Sequence, residues 1–310
     1  MAQYYLAPME EVTGWLFRQT LERHFGGVDR YFTPFLSPIT GCSFKTRQGR
    51  ELDPSHNAGL SIVPQVLTDD PDAAASMMQL LADLGYTEVN LNCGCPSGTV
   101  VRKGRGSGFL RDTEAMDRFF DRLYAKELPM PVSVKSRLGF ADPAEWPAIL
   151  AVYNKYPLTE LIVHARVRED GYGGTPNMEA FAYAYENSRA PLCYNGDIRS
   201  VADVRRIEEH FPKLRAVMIG RGAVTDPGIF RELATGVRMT AKELREFHDD
   251  LYRSYVSMWG VKDTLFKMKE IWGYLGNRYP DADKAKKAIH KCRSEGEYLT
   301  AAGELLRIEI

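Results

Sequence analysis

Residues 132–164 read VSVKSRLGFADPAEWPAILAVYNKYPLTELIVH. The opening VSVKSR has strand character, 143–155 carries a helical pattern, and ELIVH at 160–164 is a second strand. Enough chain separates the two strands for a helical crossover, which makes them parallel partners in a βαβ unit. The same alternation extends in both directions. Strands are expected at 4–6, 30–35, 59–67, 87–92, 132–137, 160–164, 191–195 and 214–219. Helices are expected at 14–25, 70–84, 112–125, 143–155, 178–187, 200–210 and 226–233, whereas 37–58 reads mostly as loop. Eight such strands within residues 1–235 match an α/β fold of the (β/α)8 TIM-barrel type, which typically takes about 250 residues. The alternative, an open doubly wound sheet, has fewer strands and places phosphate-binding glycines after the first one. Here the first strand runs into APMEEVTG, with no glycine-rich turn.

Beyond Gly236 the pattern becomes helical. Leu244, Phe247, Leu251 and Tyr255 share one period, as do Leu265, Met268, Ile271 and Trp272, and further helices are expected at 281–292 and 296–308. Thr240 and Glu243 have the spacing of a capping box. The expected organisation is a catalytic barrel at 1–235 and a small all-helical domain at 236–310.

Composition narrows the function classes. The 310 residues are 44% hydrophobic and 26% charged, which excludes a mainly disordered chain. A net charge of −1 excludes a uniformly basic nucleic-acid coat, though not a local basic face. No apolar run is long enough for a membrane helix, and MAQYYLAPMEEVTG lacks the features of a secretory leader. Five cysteines, Cys42, Cys93, Cys95, Cys193 and Cys292, are too few and too scattered for a disulfide framework, so a reducing cytoplasm is expected.

A barrel active site is built at the C-terminal ends of its strands. Those ends carry Pro8, Met9 and Glu10, then Gln65, Asn92 to Pro96, Lys135 with Arg137, His164 with Arg166, Asn195-Gly196-Asp197, and Gly220-Arg221-Gly222. The last two groups follow strands seven and eight, where such barrels bind phosphate. Their glycines either let backbone N–H groups approach a phosphate or only make tight turns. Lys135 sits inside an apolar strand and needs a partner, because a lone buried charge is costly. A phosphorylated cofactor with an electron-rich ring or a glutamate would serve. His164 is a donor to phosphate or substrate, or a core residue. Cys95 stands in a loop that can expose it, as a catalytic cysteine requires. Cys93 is expected to pack inward. The Cys93-x-Cys95 spacing has no second pair of metal ligands, so no metal is expected. The stretch TVVRKGRGSGF at 99–109 reads as a mobile basic lid beside Cys95 or as a solvated loop.

Residues 262–293 hold nine Lys or Arg against four acids, interleaved with Phe266, Trp272, Tyr274 and Tyr279. Basic charge with aromatic residues suits RNA, through phosphate contacts and base stacking. The alternative is a solvated helix face over an aromatic core.

Together, APME at 7–10, NLNCGCPS at 90–97, VKSRLG at 134–139, HAR at 164–166, NGDI at 195–198 and GRGA at 220–223 resemble the tRNA-dihydrouridine synthases, over the whole chain. That family reduces uridines of tRNA to 5,6-dihydrouridine with FMN and, usually, NADPH. The resemblance implies that Pro8, Met9 and Glu10 line the flavin ring and that Gln65 bonds its edge. It places Lys135 by the ring and ribityl chain, with His164 on the next strand. Asn195, Gly196, Asp197, Gly220 and Arg221 would form the phosphate loops. Cys95 would be the general acid and Asn92 would meet the uracil, with Arg137 and Arg166 also on the expected substrate side. The cofactors implied are FMN with NADPH, or NADH, as donor; the partner is tRNA, bound by a monomer with no membrane association and no obligate protein partner. Three positions depart from the common pattern: Glu11 stands where glycine is frequent, Ala165 where H-G-R is usual, and Cys93 in place of a more usual hydrophobic or small residue. A flavin barrel acting on a free small molecule, such as a dihydroorotate- or dihydropyrimidine-type dehydrogenase, is the rival reading, but it has no need of a basic helical tail. A non-catalytic RNA-binding barrel would have no need of Cys95 and Lys135.

Overall fold

The computed structural model describes residues 2–308. Its strands are β1 (Gln3–Leu6), β2 (Arg30–Phe32), β3 (Ile62–Val63), β4 (Gln65–Val66), β5 (Val89–Cys93), β6 (Val132–Gly139), β7 (Leu161–Val167), β8 (Leu192–Asn195) and β9 (Ala216–Ile219). All pair in parallel, in the order β3-β2-β1-β9-β8-β7-β6-β5-β4, and form a nearly closed TIM barrel. The strand expected at 59–67 is divided by Pro64, which has no N–H for the ladder. Its first half pairs with β2 and its second with β5, so the break falls where the barrel closes.

Around the strands lie α1 (Trp15–His24), α2 (Arg47–Leu52), α3 (Pro71–Asp83), α4 (Gly98–Val101), α5 (Thr113–Tyr124), α6 (Trp146–Tyr153), α7 (Met178–Asn187), α8 (Val201–His210), α9 (Arg221–Thr225) and α10 (Ile229–Thr235). Their starts follow from local chemistry. Asp70 accepts from the N–H groups of Asp72 and Ala73 ahead of Pro71 at the first helical position, and Asp112 does the same for Glu114 and Ala115. The connection at 37–58 is not all loop: Thr46 caps α2 by accepting from Gly49 N–H. The helix expected at 226–233 forms as α10, shifted to begin at Ile229, and the short α9 precedes it.

Alternation along the strands separates two apolar layers. Tyr5, Ala7, Phe32, Val63, Ile162, Cys193, Ala216 and Met218 form one buried cluster of their own. The larger cluster includes Phe17, Phe120, Trp146 and Phe181 from the helices, with strand residues such as Val134 and Val163. Before β7, at the N-terminal end of the barrel, Glu160 accepts from Tyr5 Oη at 3.0 Å, and burial pushes its carboxyl up to about 7. That end of a TIM barrel serves stability rather than catalysis.

The C-terminal region consists of α11 (Ala241–Leu275), α12 (Asp283–Lys291) and α13 (Glu295–Leu305). The Thr240–Glu243 capping box forms as its spacing predicts. Gly260, at φ 75° and ψ 170°, breaks α11 into two helical halves. Phe247 packs against Phe17 and Phe25 of the barrel at 5.9 and 5.5 Å, and the large apolar cluster runs on through Leu251, Trp272 and Tyr298. Ion pairs Arg231–Glu243, Arg278–Asp226 and Lys267–Glu11 cross the same seam.

Candidate active site

At the C-terminal end of the barrel a cleft runs in two connected halves, of about 320 and 210 Å³. Pro8, Met9, Lys135, His164, Tyr172 and Tyr274 line both halves. Tyr274 comes from α11, so the C-terminal region contributes a wall.

The smaller half contains Glu10, Gln65, Asn92 and Cys95. A ladder of amides inside the barrel holds them. Asn90 Nδ2 donates to Ser133 Oγ at 3.0 Å, Gln65 Nε2 to Asn90 Oδ1 at 2.8 Å, and Asn92 Nδ2 to Gln65 Oε1 at 2.7 Å. Asn92 Oδ1 then accepts the N–H groups of Gly94 and Cys95 at 3.1 and 2.9 Å. The loop bearing Cys95 is thereby fixed to three strands. Burial pushes the Cys95 thiol above its ordinary value, and the Glu10 carboxylate adds to the shift against Lys135 and Arg137. The sulfur is a protonated thiol at neutral pH, suited to giving a proton rather than to nucleophilic attack. Cys93 is buried, and its thiol is pushed up to about 12 by burial.

The segment expected to be a mobile lid is built differently. Residues Gly106–Arg111 form a 3-10 helix, with Gly106, Ser107 and Gly108 buried. Ser107 N–H and Oγ both donate to the Cys95 carbonyl, at 3.0 and 2.9 Å. Gly106 has φ +56°, and a Cβ there would lie 2.8 Å from that same carbonyl. The glycines therefore buttress Cys95; of the lid's basic residues, Arg102 and Lys103 are exposed and Arg105 pairs with Asp69.

The larger half is cationic. Lys135 faces both halves, and no acceptor meets its ammonium among the described residues. Burial and the neighbouring Arg137 bring it down to about 8. Burial holds His164 well below its ordinary value, with Arg137, Lys135, Arg166 and Arg221 adding to the effect, so the ring is neutral. Arg166 Nη1 donates to His164 Nε2 at 3.3 Å, which assigns the ring proton to Nδ1. Asn195, Gly196, Asp197, Arg199, Gly220 and Arg221 complete this half. Burial alone would raise the Asp197 carboxyl, but hydrogen bonds and charge from Arg166 and Arg221 hold it low. The loops after β8 and β9 touch at Gly222, where a Cβ would lie 2.1 Å from the Ile198 carbonyl oxygen. Gly222→Ala is expected to cost about 1–3 kcal/mol through overpacking, measurable as a lower Tm.

Of the two arginines expected on the substrate side, Arg137 reaches it and Arg166 does not. Arg166 is fully buried behind the cleft, bound to Asp197 and to the carbonyls of Gly173 and Gly174. Arg137 reaches the wall beside Cys95, but it donates to the carbonyls of Gly94, Val167 and Gly171. Both are engaged in tying down the loop after β7. That loop carries Tyr172, 59% exposed, whose ring lies 4.7 Å from the Arg221 guanidinium. Reading strand ends alone missed Tyr172, Asn90, Ser133 and Arg199. The strand period could have found Asn90 and Ser133, as polar residues in otherwise apolar strands.

Glu11 adopts φ +63°, the conformation that explains why glycine is common at this position. Its carboxylate is held by Arg47 and Lys267. Among the described residues no group of three or more His, Cys, Asp or Glu is placed to hold a metal ion, and no helix is long and apolar enough to cross a membrane.

The family model for dihydrouridine synthase (Dus) matches residues 5–304. The chain belongs to the dihydrouridine synthase family. Among members of known sequence, it is 29% identical over 306 residues to the tRNA-dihydrouridine(16) synthase of Pseudomonas syringae pv. tomato, covering 90% of this chain and 92% of that one. It is 32% identical over 239 residues to the enzyme of the same name from Cupriavidus necator, covering 73% and 72%. Among solved structures, an old yellow enzyme homologue from Zymomonas mobilis shares the barrel with a TM-score of 0.56 at 11% identity, over 77% of this family member and 90% of that chain. Morphinone reductase in complex with tetrahydroNAD gives 0.53 at 12% identity, over 76% and 86%.

Proposed function

We propose that this chain reduces a uridine of tRNA to 5,6-dihydrouridine, with FMN as bound cofactor, NADPH as electron donor and Cys95 as proton donor. The observation that carries this reading is one continuous cleft in which a cationic half adjoins a thiol kept protonated. FMN suits that cleft because the Lys135 ammonium lacks an acceptor and the Asp197 charge is already neutralised by two arginines. Asn195, Gly196, Asp197, Gly220 and Arg221 would hold the phosphate, and Lys135 with the Nδ1–H of His164 the ribityl chain and ring. Pro8, Met9 and Glu10 would lie against the ring and Gln65 at its edge. When bound, FMN supplies the hydride that saturates C6 of the uracil.

The residues supply the rest. Cys95 gives its proton to C5, where charge develops once C6 has been attacked. Asn92 orients Cys95 through two backbone N–H groups, and its second amide proton is available to a uracil carbonyl. Arg137 and Arg166 act as positioning residues, holding the Tyr172 loop and Asp197. The target base must leave its stack to enter. Relatives named for position 16 support that uridine as the target. The test combines purified chain, FMN, NADPH and unmodified tRNA. Dihydrouridine at position 16 is expected, and a product at another position or none would refute the assignment.

The barrel, 1–235, is the catalytic part of this proposal and the helices of 236–310 the RNA-binding part. Not all basic residues of that tail are available. Lys267, Arg278 and Lys286 form ion pairs, and Lys269 donates to the Cys292 carbonyl. Lys284, Lys287 and Lys291 are exposed and have no ion-pair partner among the described residues. Replacing these three with Ala is expected to weaken tRNA binding and to flatten the plot of log affinity against log salt. Each lost phosphate contact removes about 0.7–0.9 from the slope. An unchanged slope would make them a solvated helix face.

A further inference from the structure

Beside the cleft, between the barrel rim and α11, lies a second cavity of about 390 Å³. Trp15, Tyr255, Trp259 and Phe266 stand in its wall, and Phe266 is 65% exposed. Trp15 spends one ring face on His56, stacked at 3.7 Å and 6°. Its Nε1–H is buried and meets no acceptor. Asp263 and Glu270 stand in the same wall, and neither has an ion-pair partner among the described residues. The cavity adjoins the active site. Arg47 lines it and holds both Glu11, in the same wall, and Glu10, which lines the Cys95 half of the cleft.

Arg50 also lines the cavity, and Arg47 and Lys267 there are spent on Glu10 and Glu11, so the wall mixes free charges of both signs and does not suit an apolar helix. Aromatic walls and two carboxylate acceptors match a planar heteroaromatic ring with polar edges. We propose that the cavity takes a second, unstacked base of the RNA substrate, and that this base is a guanine. The proposal rests on the tRNA reading above. Guanine presents N1–H and a 2-amino group side by side, a pair of donors that one carboxylate accepts together, and N7 and O6 as acceptors on another edge. Unpaired RNA bases are held in this manner, by aromatic stacking and by hydrogen bonds to their edges. Captured here, the guanine fixes how far along the strand the uridine at Cys95 must lie.

The test uses the full chain with FMN and tRNA transcripts in which single guanosines near the target are replaced by inosine. Inosine keeps N1–H and lacks the 2-amino group. Affinity and steady-state turnover are both measured, for the parent, for Asp263→Asn with Glu270→Gln, and for Phe266→Ala. One inosine position is expected to weaken parent binding and raise KM about tenfold, with little further effect in the carboxamide double variant. Phe266→Ala, at an exposed side chain that the fold does not need, is expected to raise KM by about tenfold through a lost stacking surface. If no inosine position affects parent binding, or if its effect adds in full to that of the double variant, the pocket assignment is overturned. A chain that binds these transcripts with the expected inosine effect but forms no dihydrouridine would keep the pocket and refute the reaction instead.

Discussion

Cys95→Ala is expected to slow uridine reduction by about 10²–10⁴-fold, the usual worth of a positioned general acid, while the protein still binds flavin. The thiol lies in the half of the cleft away from the phosphate loops, so its loss leaves the cofactor contacts in place. Single-turnover oxidation of the reduced protein by tRNA isolates the step. Cys93→Ala is the control: its sulfur is buried, and its thiol pushed up to about 12 cannot serve as an acid on the cleft side. A Cys95→Ala rate within about threefold of the parent would remove the thiol from the mechanism. Because burial raises the Cys95 thiol above its ordinary value, the rate should hold through neutral pH and decline only on the alkaline side of a free thiol.

Lys135→Met is expected to act in opposite directions on cofactor and fold. FMN affinity should drop by about 10–100-fold, the size of one charge-assisted hydrogen bond. Thermal stability of the cofactor-free protein should rise, because an ammonium that burial has brought down to about 8 is replaced by an apolar chain of similar length. The sign of the pH dependence is fixed. The lysine of the unfolded chain keeps its proton up to about 10.4, and the folded one loses it near 8. Between those values the unfolded chain binds more protons, so the stability of the apo parent relative to Lys135→Met must rise with pH. Bound FMN should abolish that rise by giving the ammonium its partner. Equal flavin affinity in the two proteins would take Lys135 out of the cofactor site.

Much of this site was legible because barrel geometry brings strand ends together, and strand ends can be found from apolar runs. Gln65, Asn92, Cys95, Lys135 and His164 were reached in that way, and they line one cleft. Hydrogen-bond partners were not legible. Arg137 and Arg166 look alike in sequence to free cations, and only the fold shows their donors consumed by carbonyls of the loop after β7. The glycines of 104–108 suggest mobility by composition, whereas close contact with the Cys95 carbonyl is what requires one of them. Likewise, α2 is short and begins on a threonine cap within a polar connection, so no apolar period announces it.

The apolar layer that passes without a break from Phe17 and Phe25 to Phe247 and on to Trp272 and Tyr298 bears on how the molecule melts. Severing the chain near Gly236 would bare apolar surface on both pieces. Heating should therefore produce a single calorimetric peak whose van't Hoff and measured enthalpies agree. A nucleic acid that grips only α12 should protect the distant strands from hydrogen exchange as well, because opening either part costs the other its lining.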